Sequence, residues 1–316
     1  MMLVSFIGEC LSWSSSRPKI LWATNPPPPP TRSLPSWYMA VAPTRFRPIC
    51  HPRAEEVIKE VDAYFLENWP FPNEKARKKF KGADFTRNMC YNYPEALDDR
   101  IGVACRLITL LFLVDVEWMS YDIWEEMRAL DASLSSEVLG PLEEFMVAQT
   151  EDTRLQKMAM GEYLEWRGRD VGASLVTALG RFSMGLVMSP EDLNLVEPLN
   201  RIWFRHVSVI NDVWSYDKEV RQSKESGEEG AVLCSSVAIL CEETQVSAEA
   251  SKRTLTYLCR EWEGLHQALE QEILAEKDTP AIRQYIRGLE HQMSGNEIWS
   301  TFTLRYAPPS HQDLCN

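Results

Sequence analysis

From about residue 52 onward, apolar residues recur along the chain at spacings of three and four, with polar residues between them. Val57, Val61, Tyr64 and Phe65 set the pattern, which is that of a helix with one buried face. A loop follows at Pro70-Phe71-Pro72. Residues 95–114 read as a strongly apolar helix ending in Leu110-Leu111-Phe112-Leu113-Val114-Asp115. Residues 121–139 are amphipathic, and Pro141 is expected to start another helix. Residues 153–187 are helical with a break near Gly168 to Gly172, and Pro190 caps a helix over 191–220. A polar loop spans 222–230, and helical spacing returns over 231–244. Ser247 begins a long helix to about Glu276, and Pro280 begins another to His291. No stretch alternates as a strand does, and no internal repeat is visible. The pattern predicts an all-α protein, many helices in one bundle.

Residues 1–44 differ from the rest. Ser14-Ser15-Ser16, the run Pro26 to Pro30 and prolines 35 and 43 favour polyproline II over helix. They are expected to form a disordered extension, leaving 45–316 as the folded domain. A lone proline run is weak evidence for an SH3-like partner. The longest apolar run, Leu107 to Val114, is too short for a membrane span. The opening MMLVSFIGECL has no basic residue and is interrupted by Glu9, so a cleaved signal peptide is not expected.

Composition narrows the function. A net charge of −13 on 316 residues argues against nucleic acid, whose phosphates need a basic face. It leaves room for a small anion, because bound divalent cations invert local charge. Eight cysteines form no CxxC pair, which fits free thiols in a reducing cytoplasm.

The most informative segment is Asn211-Asp212-Val213-Trp214-Ser215-Tyr216-Asp217-Lys218-Glu219. Asn211, Ser215 and Glu219 stand at i, i+4 and i+8, on one face of a helix. An amide carbonyl, a hydroxyl and a carboxylate are all hard oxygen donors, which suit Mg²⁺. A solvated polar helix face gives the same pattern. Ile202, Phe204, Val207 and Ile210 just upstream are apolar, however, and polar groups on a buried helix need partners.

This segment resembles the NSE motif of class I terpene cyclases. Tyr163-Leu164-Glu165-Trp166-Arg167-Gly168-Arg169-Asp170-Val171-Gly172 resembles their diphosphate-sensing helix break. Ser294-Gly295-Asn296-Glu297-Ile298-Trp299-Ser300 with Arg305-Tyr306 resembles their C-terminal Arg-Tyr motif, and Leu111 to Asp115 resembles the approach to their aspartate-rich motif. The ordered set spans residues 46–306 and is most like the fungal aristolochene synthase-type sesquiterpene cyclases. The resemblance implies a cytoplasmic Mg²⁺-dependent lyase, monomer or homodimer, that ionises farnesyl diphosphate and cyclises the carbocation. An aristolochene-type product is among those it allows. It implies Mg²⁺ on Asp115, Asn211, Ser215 and Glu219, three ions together with diphosphate in an intact family member. Arg167, Lys218, Arg305 and Tyr306 would bind the diphosphate, with Asp170 orienting the neighbourhood of Arg167. Phe112, Phe145 and Trp299 would face the carbocation. The released diphosphate can serve as base, so no histidine base is implied.

One motif departs from the family. Asp115 is followed by Val116, Glu117, Trp118 and Met119, so the expected second acid is missing. Glu117 at i+2 points elsewhere. Tyr121 to Arg128 matches a helix that family members place later, so a stretch after Val114 is absent. A lost exon, a natural variant with altered metal binding and a decayed paralogue all fit this pattern. The alternatives to a working cyclase are therefore an impaired paralogue that binds diphosphate, and a chain-elongating prenyltransferase. The latter needs two complete aspartate-rich motifs.

Overall fold

The apolar stripe at Val57, Val61 and Phe65 is at most 1% exposed, and burial of such stripes orders the whole chain. The computed structural model describes residues 33–113, 117–150, 158–226 and 235–307. Its helices are α1 (Ser36–Met39), α2 (Ala54–Asn68), α3 (Glu74–Ala83), α4 (Phe85–Asn92), α5 (Ile101–Leu113), α6 (Glu117–Leu130) and α7 (Ala132–Thr150). There follow α8 (Met160–Asp170), α9 (Ala173–Met184), α10 (Pro190–Leu195), α11 (Glu197–Ser226), α12 (Ser236–Thr244), α13 (Ala248–Glu276) and α14 (Pro280–Phe302), with a 3₁₀ turn at Leu304–Tyr306. No strand occurs among the described residues, as expected. Helix α11 lies at the centre, packed against α8, α12, α13 and α14. No described helix is long and apolar enough to cross a membrane.

Local chemistry sets most boundaries. Ser189, Ser247 and Thr279 accept N–H bonds from Asp192, Ala250 and Ile282 and so cap α10, α13 and α14. The break between α8 and α9 rests on Gly172, whose φ of 69° is left-handed. A Cβ there would also lie 2.8 Å from the Phe145 ring.

Several expectations need correction. Helix α5 starts at Ile101, because Leu97 N–H bonds to Ser183 O and holds 95–100 as turns. Pro141 lies inside α7 and does not start it. The helix begins after Asp131, whose carboxylate accepts the Leu134 N–H at 3.0 Å. Gly140, with no Cβ, relieves the clash before the proline ring. The helix expected over 191–220 is two, since Pro198 fits the first turn of α11 and not a helix interior. Helix α11 runs to Ser226, into the expected loop, whose remainder lies outside the described residues. Helix α14 continues eleven residues past His291 because Gly295 lets it touch α4. A Cβ at Gly295 would sit 2.7 Å from the Tyr91 carbonyl oxygen.

The boundary at residue 44 also moves. Residues 1–32 lie outside the described structure, but 33–44 are ordered against the bundle. Helix α1 buries Trp37 to 5% exposure in the main core.

Candidate active site

Helix α11 carries Asn211, Ser215 and Glu219 on one face, and two residues beside them fix that face. Asp212 is 1% exposed and accepts from Tyr163 Oη at 2.7 Å, from the Ser236 N–H at 2.9 Å and from Arg167 Nη2 at 3.2 Å. A buried carboxylate needs such compensation, and here α8 and α12 supply it. On the other side, Trp214 packs against Trp37 and Tyr38.

The Asn211 amide joins three distant parts of the chain. Its Oδ1 accepts from Arg167 Nη2 at 3.3 Å, and its Nδ2 donates to the Tyr306 hydroxyl at 2.9 Å. Arg167 also pairs with Asp170 at the end of α8. The glycine break therefore holds Arg167 beside α11. Burial raises the Tyr306 phenol, so its hydroxyl stays protonated and can donate.

The donor set suits a hard divalent cation. Ser215 is buried, and its hydroxyl donates to the Asp212 carbonyl at 3.5 Å. Burial first, and the Asp212 charge second, raise Glu219 above the usual carboxylate range, against the pull of Ser215, Arg167 and Lys218. A carboxylate raised in this way is one that a bound divalent cation would hold as the anion. Asp115 lies outside the described residues.

Where α11 continues to Lys218, Arg221 and Gln222 it borders a cavity of about 900 Å³, whose lining does not include Asn211, Ser215 or Glu219. Lys218, Arg305 and Phe112 line it, as do Phe85, Lys75, Lys79 and Arg221. Phe112 stacks on Phe85 with centroids 4.4 Å apart, and the Arg305 guanidinium lies over both rings at 5.6 and 5.1 Å. Burial and then Arg305 push Lys218 down to about 8. Two expected aromatics, Trp299 and Phe145, are not among the residues that line this cavity. Trp299 is 1% exposed, donates to the Asp84 carbonyl at 3.0 Å and packs edge-on to Tyr306, so it supports the Arg-Tyr turn from behind. Phe145 lies against Gly172 at the helix break and does not line this cavity.

Motif reading missed the lysines of α3 and the role of Asp212. The run Glu74-Lys75-Ala76-Arg77-Lys78-Lys79 was visible as a basic helix, but nothing local aims it at a cavity. Asp212 carried a faint signal: a carboxylate beside Asn211 on a helix otherwise apolar upstream. A separate buried cluster, His206, Glu263 and Glu297, has the spacing to hold a metal. The Arg260 guanidinium already bonds both carboxylates, so it is an ion-pair network.

Comparison with known proteins bears on the family and the fold. The family profile "Terpene synthase family 2, C-terminal metal binding" matches residues 115–264. The chain is 48% identical over 299 residues to aristolochene synthase from Aspergillus terreus, covering 84% of this chain and 93% of that protein. It is 47% identical over 294 residues to (+)-aristolochene synthase TS1 from Penicillium expansum, covering 82% and 89%. The crystal structure of aristolochene synthase from Penicillium roqueforti superposes with a TM-score of 0.75 at 43% identity, covering 83% of this chain and 99% of that one. In the first match, 84% of a 316-residue chain cannot fill 299 positions. That relative therefore has residues within the matched stretch that this chain lacks.

Proposed function

This chain belongs to the terpene synthase family, and from that premise we propose that it is a sesquiterpene cyclase acting on farnesyl diphosphate with Mg²⁺. The observation that carries the reading is the Asn211 amide, which ties the sensor arginine Arg167 to Tyr306 beside the Ser215–Glu219 face. Asn211, Ser215 and Glu219 would hold Mg²⁺. The bound ion would supply Lewis-acid stabilisation of the departing diphosphate.

The chain's own groups account for the remaining steps. Arg167, Lys218, Arg305 and Tyr306 bring N–H and O–H donors to the place where the leaving group gains charge. The stacked pair Phe85 and Phe112 presents aromatic surface toward the cavity, where it can stabilise a carbocation and keep water off. Phe145 and Trp299 act indirectly, by fixing the helix break and the Arg-Tyr turn. Asp115 is assigned to the metal site from the motif alone. We place the stretch that this relative has and this chain lacks after Val114, on the motif alone. Five described cysteines are free thiols, which supports a cytoplasmic setting.

The test is incubation of the purified full-length chain with farnesyl diphosphate, with and without Mg²⁺, following diphosphate release and analysing products by gas chromatography–mass spectrometry. Magnesium-dependent release with a cyclic sesquiterpene is the expected result. Linear or hydroxylated products beside it would report water entry where the stretch is missing. No magnesium-dependent release would overturn the assignment. Chain elongation on adding isopentenyl diphosphate would replace it with a prenyltransferase.

A further inference from the structure

The mechanism above makes no use of the chain's first described segment, yet that segment is bound tightly to the helix that matters most. Trp37 meets Trp214 edge-on, with centroids 5.2 Å apart at 63°, and Tyr38 lies 5.1 Å from the same indole. Lys252 on α13 stacks its ammonium on both Trp37 and Tyr216, at 5.6 and 5.3 Å, and pairs with Asp217 at 2.6 Å. Thus Trp37 touches one side chain of the 211–219 turns directly and reaches two more through Lys252.

The segment is itself anchored. Tyr38 Oη donates to Glu297 at 2.8 Å, Arg260 Nε donates to the Ala42 carbonyl at 2.7 Å, and the Arg45 N–H donates to Glu263 at 2.7 Å. Tyr257 Oη adds a bond to the Ala40 carbonyl at 2.9 Å. These bonds tie the strap to α13 and α14. Glu263 also bonds His206 of α11 at 3.0 Å. The strap is therefore fixed to the framework that α11 packs on.

Helical geometry gives these contacts a consequence. With a step of about 100° per residue, Asp212 and Trp214 fall on opposite sides of the Asn211–Ser215–Glu219 face. Asp212 is held by α8 and α12, and Trp214 by the strap. A helix pinned on both flanks cannot roll about its axis. A roll of about 10° would carry ligand atoms, some 5–6 Å from the axis, by about 1 Å. Magnesium, which demands near-ideal octahedral geometry, tolerates far less than that.

We propose that residues 34–45 form a positioning strap, in which Trp37 and Tyr38 set the roll of α11 and thereby the divalent-cation affinity of Asn211, Ser215 and Glu219. Neither residue touches metal or substrate; both are positioning residues. The proposal rests on α11 being the metal-binding helix, and its test separates the two.

The full-length chain and the variants Trp37→Ala, Trp37→Phe and Glu219→Gln are titrated with Mg²⁺ in the presence of inorganic diphosphate. Binding is read by calorimetry, and the Mg²⁺ dependence of turnover is read alongside it. Trp37→Ala is expected to raise the half-saturating Mg²⁺ about tenfold, as loss of an outer support does. Its kcat at saturating Mg²⁺ should fall much less, and Trp37→Phe should recover most of the affinity. If Trp37→Ala does not fold, Trp37→Leu carries the same expectation in smaller degree. A purely structural role for Trp37 would lower thermal stability and leave the Mg²⁺ midpoint unchanged. If Glu219→Gln weakens binding while the Trp37 variants do not, the strap proposal is wrong and the site reading stands. If Glu219→Gln leaves binding unchanged, the site reading falls and takes the strap with it.

Discussion

Two walls of the candidate site are built in opposite ways. On the α11 wall the groups around the 211–215 turn are held from behind: Asp212 by three donors, Asn211 by Arg167 and Tyr306, Ser215 by the Asp212 carbonyl at 3.5 Å. On the α3–α5 wall, Lys75 and Lys79 are exposed with no described acid paired to them, and Phe112 is 39% exposed. The first wall fixes positions before a ligand arrives. The second offers charge and aromatic surface without fixed positions. Metal geometry needs the first kind of wall, because its tolerance is a fraction of an ångström. Attraction of an anion into a chain of net charge −13 needs only the second.

The comparison predicts where mutation hurts most. Asp212→Ala leaves Arg167 with one fewer anion and removes the acceptor of Tyr163 and the Ser236 N–H. Breaking a buried pair of this kind costs about 3–5 kcal/mol. Losing the positions of Arg167 and Asn211 should lower kcat/KM by about 10²–10³-fold. Tyr163→Phe, which removes one donor of the three, should cost about 1 kcal/mol. Urea midpoints and steady-state kinetics measure both. A parental midpoint for Asp212→Ala would mean that the wall is not held from behind.

The next effect is acid sensitivity, and it also belongs to the framework of the fixed wall. His266 is fully buried, and neither ring nitrogen has a hydrogen-bond partner among the described residues. Burial, then the neighbouring His206, push it down to about 4, with the Glu263 charge pulling the other way. The unfolded chain takes up this proton near the ordinary histidine value of about 6.5, and the folded chain only near 4. Stability is therefore lost as pH falls from 6.5 toward 4, by up to about 3 kcal/mol. Glu263 adds to the loss at lower pH. Burial would raise it, but His206, Arg260 and the Arg45 N–H outweigh burial and hold it low. Its contribution is present above the ordinary carboxylate range and lost as pH falls through its folded value. Urea unfolding at pH 7, 6 and 5 measures the slope. His266→Phe, which keeps a ring against Phe46, should flatten it between pH 6.5 and 5.

The two walls were unequally legible in the sequence, for the same physical reason. Asn211, Ser215 and Glu219 could be aligned from helical spacing alone, and the helix starts at Ser247 and Pro280 from local capping chemistry. What local chemistry does not contain is the partner. Pro141 inside α7, Gly295 inside α14 and the buried Trp37 of a proline-rich segment all depend on what packs against them. The family resemblance aims Trp299 at the carbocation, while the partner of its indole N–H, the Asp84 carbonyl, is visible only in the fold. Lysines 75 and 79 were unremarkable until α3 was seen to pack on the Leu304–Tyr306 turn.

The smallest expected effect is on those lysines, and its form matters more than its size. Lys79 lines the cavity mouth with Lys75, Lys218, Arg221 and Arg305. An exposed cation interacting with a diphosphate through water contributes about 0.5–1 kcal/mol, and salt screens it over about 10 Å at 0.1 M. Lys79→Ala should therefore lower kcat/KM about two- to fivefold at low salt and leave the urea midpoint unchanged. The deficit should shrink toward nothing as salt rises toward about 0.5 M, where the parental enzyme has lost the same advantage. Lys75→Ala combined with Lys79→Ala should roughly multiply the single effects, since mobile exposed charges couple weakly. Steady-state kinetics at several salt concentrations checks each part. A loss in Lys79→Ala that salt does not relieve would mean that Lys79 is held in fixed contact with the diphosphate. The second wall would then be preorganised like the first.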